Sequence, residues 1–415
     1  MRSIRACASS ARRRHIEESS LSSPVDHIRR FQSDLTAIRH DIHAHPELAF
    51  EETRTSQIVA EWLAQRGIEV HRGLARTGVV GVVRGRHGAG TVGLRADMDC
   101  LSMHETGSVP YKSRHDGRMH ACGHDGHTTM LLGAARYLAE TRNFAGTAYL
   151  IFQPAEERGG GGRVMVEEGL FDQFPAREIY ALHNWPALPA GQMAVRPGPV
   201  MAAVDEIEIV IRGRGGHGAM PHLTVDPVVV AAHVITALQT IASRNVSPLD
   251  AVVVSVCSMQ TSQVGTFNVI PDDVRLVGTV RTFREDTRVL AERRIAEIAA
   301  GVAAALGASA QSHYRRHHPA TVNSEREAIF AAEVGERVFG AGNVIRDAEP
   351  TTGSEDFSYM LQARPGAYVW LGHGGGARGC NLHNPNYDFN DDIIALGAGY
   401  LAALVEAALP LDAKA

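Results

Sequence analysis

Residues 119–131, MHACGHDGHTTML, place three histidines, a cysteine and an aspartate just ahead of an apolar helical run. Three chemistries use such a set: a metal site, a thiol nucleophile with a histidine base, or polar capping of a helix. Other segments carry comparable side chains at the ends of apolar runs. Asp97 and Asp99 follow TVGLRA, Glu156 and Glu157 follow AYLIFQPA, His183 follows EIYAL, and His383 lies in CNLHNPNYDF. Each is ordinary alone, since a strand-end histidine usually caps or faces solvent and a glutamate pair is usually solvated. A Cys122 nucleophile would leave Glu156, Glu157, His183 and His383 without a task. A metal centre uses them all, because thiolate, imidazole and carboxylate are the common ligands of zinc and neighbouring divalent ions. With Cys122, His124 and one glutamate, the set exceeds one tetrahedral ion and fits two ions sharing a bridge. The second glutamate is then free to take a proton from a water that such ions acidify.

These side chains need a scaffold that gathers strand ends. HIRRFQSDLTAIRHDIHAHPE reads as one helix with Ile28, Phe31, Leu35, Ile38 and Ile42 on a single face, ended by Pro46. A second helix stops at Gly67, two short strands follow, and TTMLLGAARYLAE is amphipathic. Strands alternating with helices predict an α/β fold, a mostly parallel sheet with helices on both faces, whose ligands bind beyond the carboxyl ends of the strands. Near residue 200 the texture changes. VDEIEIVIRGRG alternates with period two, and the elements that follow run β-α-β-β-α-β, a ferredoxin-like order. The expected organisation is a disordered leader over 1–26, a catalytic metal-binding domain over 27–199 and 317–415, and an inserted ferredoxin-like domain over 200–316.

Composition narrows the class. The chain has 415 residues, 44% hydrophobic and 21% charged, with 21 histidines. A net charge of −5 gives no electrostatic case for nucleic acid or an anionic membrane as partner. No window approaches the roughly 18 uninterrupted apolar residues of a membrane helix. The five cysteines lack framework spacing, which fits a reducing cytoplasm. The arginine- and serine-rich start has no apolar core, so it is not a secretory signal.

GLRADMDCL, MHACGHDGH, FQPAEE, ALHNWP, GGHGAMPH, TFNVIPD, TGSEDFSYM and LHNPNYDFND, in this order, resemble the metal-dependent amidohydrolases related to hippurate hydrolase. That family includes N-acyl-amino-acid amidohydrolases and auxin-conjugate hydrolases, alongside the aminoacylase and carboxypeptidase metallopeptidases. The resemblance implies two divalent ions (zinc, manganese, nickel or cobalt) held by Cys122, His124, Glu157, His183 and His383, with Cys122 bridging and Glu156 as general base. It implies that Asp97 orients a ligand and that His217, reaching into a partner subunit's site, polarises the scissile carbonyl. Asn268 is a comparable amide donor. The expected substrate is a small N-acyl amino acid, and the expected assembly is a homodimer or a dimer-based oligomer in which residues 200–316 serve as lid and dimerisation domain. A dipeptidase or carboxypeptidase on the same scaffold, or a metal-binding protein without activity, are the rivals. Related peptidases carry a ligand histidine where this chain has Arg95, which cannot bind a metal. Cys100 reads as a small buried hydrophobe. His222 reads as turn chemistry, and Glu355 and Asp356 have no role assigned from sequence.

Overall fold

The computed structural model describes residues 23–263, 265–375 and 380–411. A sheet of eight strands carries the strand-end residues. Its central strands, Thr147–Gln153, Thr91–Asp97, Glu178–Trp185 and Gly366–Gly372, lie side by side and parallel. Antiparallel neighbours flank them, with Val79–Arg84 on one side and Met193–Ala194 on the other.

Alternation along each central strand sorts side chains to two faces. Val92, Leu94 and Ala96 join Leu150, Leu182 and Val369 in one cluster, covered by the helices His124–Thr141, Glu325–Phe339 and Ile394–Ala408. Ile151, Ile179, Ala181, Tyr368 and Trp370 face the other way, against Met165, Phe171, Phe357 and Met360 of three short helices. Both faces are dry, so the strands read as nearly continuous apolar runs rather than alternating ones.

The first helix departs from the sequence expectation. Two helices, Pro24–Arg29 and Gln32–Ala44, replace one, with the break at Phe31, whose φ of −127° leaves the helical region. The fold also begins earlier than residue 27. Ser23 caps the first helix by accepting the Asp26 N–H, Pro24 stands in the first turn, and Val25 is buried. Val25 lies against Gly399 of the C-terminal helix, where an added Cβ would sit 2.9 Å from the Val25 Cα. Residues 23–26 therefore belong to the structured chain. The rest of the expected leader lies outside the described residues.

A second, four-stranded sheet is separate from the first. Its order is Val252–Thr261, Asp273–Thr282, Ala203–Arg212 and Ser309–Arg316, all antiparallel. The first-numbered of these, Ala203–Arg212, alternates buried and half-buried residues along its length. Ile207, Ile209 and Ile211 face the helices Pro227–Leu238 and Glu285–Ala305, closing a core of its own with Val230, Val234 and Ile295. By length and composition the stretch Pro227–Asn245 could cross a bilayer. Its buried residues Val230, Ala231, Val234 and Leu238 instead pack on this sheet.

Candidate metal centre

The parallel strands end on one rim, and the loops beyond them bring the expected residues together. Cys122 and His124 flank Gly123, which caps the helix His124–Thr141 with φ of 91°. Only glycine fits there, because the backbone is left-handed and Asn184 and the Tyr387 hydroxyl crowd the missing Cβ. His383, itself at φ 61°, ties its loop to the Cys122 loop by donating its N–H to the Ala121 carbonyl at 2.8 Å.

The glutamate pair sits in a turn held by two buried carboxylates. Asp99 accepts the N–H groups of Glu156 and Glu157 at 3.0 and 2.9 Å. Glu52 accepts the N–H of Ala155 at 2.9 Å, and Ala155 has φ of 57°. A left-handed alanine costs of order 1 kcal/mol, so these acceptors hold a strained turn whose product is the divergence of two adjacent side chains. Glu157 Oε1 lies 3.3 Å from His383 Nε2 and 3.9 Å from His124 Nε2. Glu156 Oε1 turns instead to the Asp356 N–H at 3.4 Å.

Two histidines are oriented alike. His124 Nδ1 donates to the Asp99 carbonyl at 2.9 Å, and His183 Nδ1 donates to the Asn184 carbonyl at 2.7 Å. With Nδ1–H committed to the main chain, each ring presents Nε2 inward, the arrangement by which proteins orient metal-binding imidazoles. His183 Nε2 lies 3.4 Å from Cys122 Sγ. Ligand atoms of Cys122, Glu157 and His383 lie within 4.8 Å of one another, and so do those of His124, Glu156 and Glu157. Asp97, His124, His127 and His183 form a third such group.

The side chains fit a divalent cation. His124 Nε2 and Glu157 Oε1 are buried and have no hydrogen-bond partner among the described residues. The Asp97, Asp99, Glu156 and Glu355 carboxylates are buried on this rim with one buried guanidinium, Arg95. The surplus of negative charge shows in the proton affinities. Burial opposes it, yet Asp97 and Asp99 push His124 up to about 10. Burial, then Glu355 and Glu157, raises Glu156 well above the usual carboxylate range. Burial and Glu157 likewise raise the Cys122 thiol, the wrong direction for a free nucleophilic thiolate. Burial, then His127, lowers His183, which keeps its ring neutral.

Asp97 has both oxygens engaged, one with His127 Nδ1 at 2.6 Å and one with Arg95 at 2.8 Å. A cavity of about 400 Å³ opens over the cluster, lined by His183 from the large sheet and by Cys122, Glu156, Glu157 and His383 from the loops at its rim. The second sheet contributes Arg281 from its strand Asp273–Thr282, and His318 follows its last strand. Arg281 is paired in the sheet through its main chain, and the nearby Asp205 acts on its half-buried guanidinium.

Two expected residues lie elsewhere. His217 and Asn268 are exposed and neighbour the short pairing of Gly216–His217 with Val269–Ile270; neither lines the cavity. His217 Nδ1 accepts the Ala219 N–H, and Asn268 offers its carbonyl to the Gly218 N–H. His222 sits in an exposed 3-10 turn, Pro221–Leu223. Sequence reasoning gave no role to His127, Asn184, Glu52, Arg281 or His318. His127 was visible one turn after His124 on the same helix face. The other four carry no local signal, because nothing near them in sequence marks what they meet.

The sequence pattern of Peptidase family M20/M25/M40 matches residues 93–407. Hippurate hydrolase of Campylobacter jejuni is 40% identical over 90% of this chain and 96% of its own length. N-acetylcysteine deacetylase of Bacillus subtilis is 37% identical, with 90% and 96% covered. A crystal structure from Bacillus subtilis, of a dinuclear metal binding peptidase from the M20 family, superposes with a TM-score of 0.80 at 34% identity, covering 91% of this chain and 98% of that one.

Proposed function

We propose substrate and residue roles from one premise: this chain belongs to Peptidase family M20/M25/M40 and is a metal-dependent amidohydrolase. The substrate is an N-acyl amino acid, cleaved to a carboxylic acid and a free amino acid. One observation carries the assignment of roles: Glu157 faces both His383 and His124, whereas the Glu156 carboxyl, within 4.8 Å of His124 and Glu157, takes its hydrogen bond from the Asp356 N–H.

Cys122, His124, Glu157, His183 and His383 would hold two divalent ions (zinc, manganese, nickel or cobalt). When bound, the ions acidify a water and polarise the amide carbonyl. Glu156 takes the proton of the attacking water and delivers it to the leaving amine. Asp97 fixes His127, and Asp99 fixes His124 and the glutamate turn. Arg281, a cation that lines the cavity, receives the carboxylate of the amino acid.

Residues 200–316 act as lid and dimerisation domain, and His217 with Asn268 completes the site of a second subunit. Their exposure beside Phe267, Met220 and Leu223, large apolar side chains left in solvent, supports a surface that another copy covers. The enzyme works in the cytoplasm, in keeping with its free cysteines.

A panel of N-acyl amino acids and dipeptides, run on metal-reconstituted protein, tests the reading. Turnover of dipeptides alone would make it a dipeptidase. Tight metal binding with no turnover of either class would leave a metal-binding protein without activity.

A further inference from the structure

Arg95 is completely buried, and its guanidinium is shared among three elements. Nε donates to Gln153 Oε1 at 2.8 Å and Nη1 to Asp97 Oδ2 at 2.8 Å. Nη2 donates to Glu355 Oε1 at 2.9 Å and Asp356 Oδ1 at 3.1 Å. The same carboxylates are locked from other sides. Gln153 Nε2 and the Gly162 N–H both donate to Asp356 at 2.7 Å, and the Tyr368 hydroxyl donates to Glu355 at 2.7 Å. The side chains of residues 355 and 356 thus face Arg95, while the main chain between them faces the other way. The Asp356 N–H points at Glu156 Oε1, at 3.4 Å, and gives the Glu156 carboxyl its one hydrogen bond among the described residues.

We propose that Arg95 is a positioning residue for the hydrolysis. By holding Glu355 and Asp356 it aims the Asp356 N–H, and through that N–H it sets the direction of the Glu156 carboxyl. This rests on the reading of Glu156 as the group that moves the proton. Arg95 does not touch the substrate cavity, since it is absent from the lining where Glu156 and Glu355 appear. A planar fork with several fixed donors suits the task, and an ammonium does not, because lysine reaches its acceptors from a flexible stem without the fork geometry.

The test uses the full chain loaded with manganese, hippurate as probe, and two variants. Arg95→Lys keeps the charge but not the fork. Arg95→Gln removes the guanidinium and its grip on Glu355 and Asp356 while keeping a neutral donor, so it decides the matter if Arg95→Lys does not fold. The expected result is a fall in kcat of about 10–100-fold, the loss that displacement of a reacting group by about an ångström produces. KM and metal stoichiometry should stay within about threefold of wild type, and crystal structures should show the Glu156 carboxyl turned away from the Asp356 N–H. Unchanged kcat in folded, metal-loaded variants overturns the proposal. So does a loss that tracks lost metal, or a Glu156 carboxyl that has not moved. If wild type hydrolyses no N-acyl amino acid, the functional reading fails instead, and the crystal structures still report whether Arg95 aims Glu156.

Discussion

Cys122 Sγ lies 3.4 Å from His183 Nε2, with the thiol buried and the imidazole held neutral. A thiol–imidazole pair also suits a nucleophile, so the pair alone does not choose between chemistries. Glu157 and His383, whose ligand atoms lie within 4.8 Å of the same thiol, tip the choice toward a ligand. Bound metal should protect Cys122 from iodoacetamide, and chelation should expose it. Mass spectrometry of alkylated peptides reads this directly. Equal labelling with and without metal would count against ligation, and a trapped acyl-thioester would revive the nucleophile.

The glutamate pair separates chemistry from metal binding. Glu156→Gln keeps shape and removes the proton acceptor, so kcat should fall by roughly 10²–10⁴-fold with metal content intact. Glu157→Gln should lower metal occupancy. Metal analysis beside steady-state kinetics checks both, and a fully active, metal-loaded Glu156→Gln enzyme would sink the assignment.

His217 is exposed and outside the cavity of its own subunit. His217→Ala should leave metal bound and cut the rate by roughly 10²–10³-fold, the usual loss for one oxyanion donor. Mixing it with Glu156→Gln should restore part of the activity, because a mixed dimer has one site with both native residues. Verified mixed dimers without recovery would remove His217 from the partner's site.

A buried network behind the site makes stability depend on pH. His43 Nδ1 lies 2.9 Å from Asp125 Oδ2 and Nε2 lies 3.4 Å from Glu105, while Arg39 also meets Asp125. Burial opposes protonation, but Asp125 and Glu105 outweigh it and push His43 up to about 9. A histidine raised in the fold adds stability that is full below its unfolded value, about 6.5. That contribution is lost as pH rises through about 9. The unfolding free energy of wild type minus that of His43→Gln should therefore shrink by a few kcal/mol between pH 6 and pH 9.5. Urea titrations at several pH values measure it, and a constant difference would show that His43 does not carry the charge.

Much of the scaffold was legible because periodicity reports burial. Ile207, Ile209 and Ile211 are buried and alternate with the half-buried Glu206, Glu208 and Val210 on a one-sided sheet, whereas AYLIF is apolar throughout because both faces are covered. The break at Phe31 was not legible, since Ile28, Phe31 and Leu35 are buried whether the helix is one piece or two. The early start at Ser23 was written in the Ser-Pro pair, a capping signal passed over beside an arginine-rich leader.

The sequence by itself determined which side chains are able to bind metal and that they stand at strand ends, before a helix or in a loop, because residue type and hydrophobic period are local properties. Tertiary structure alone decided how those side chains divide the work. Glu52 and Asp99, 103 and 57 residues away, accept the N–H groups of Ala155 and Glu156 and so fix the turn that carries both glutamates. Arg95 meets Glu355 across 260 residues, and Arg281 reaches the cavity from another sheet. Such contacts depend on how distant segments pack, and no local pattern encodes a partner that lies hundreds of residues away.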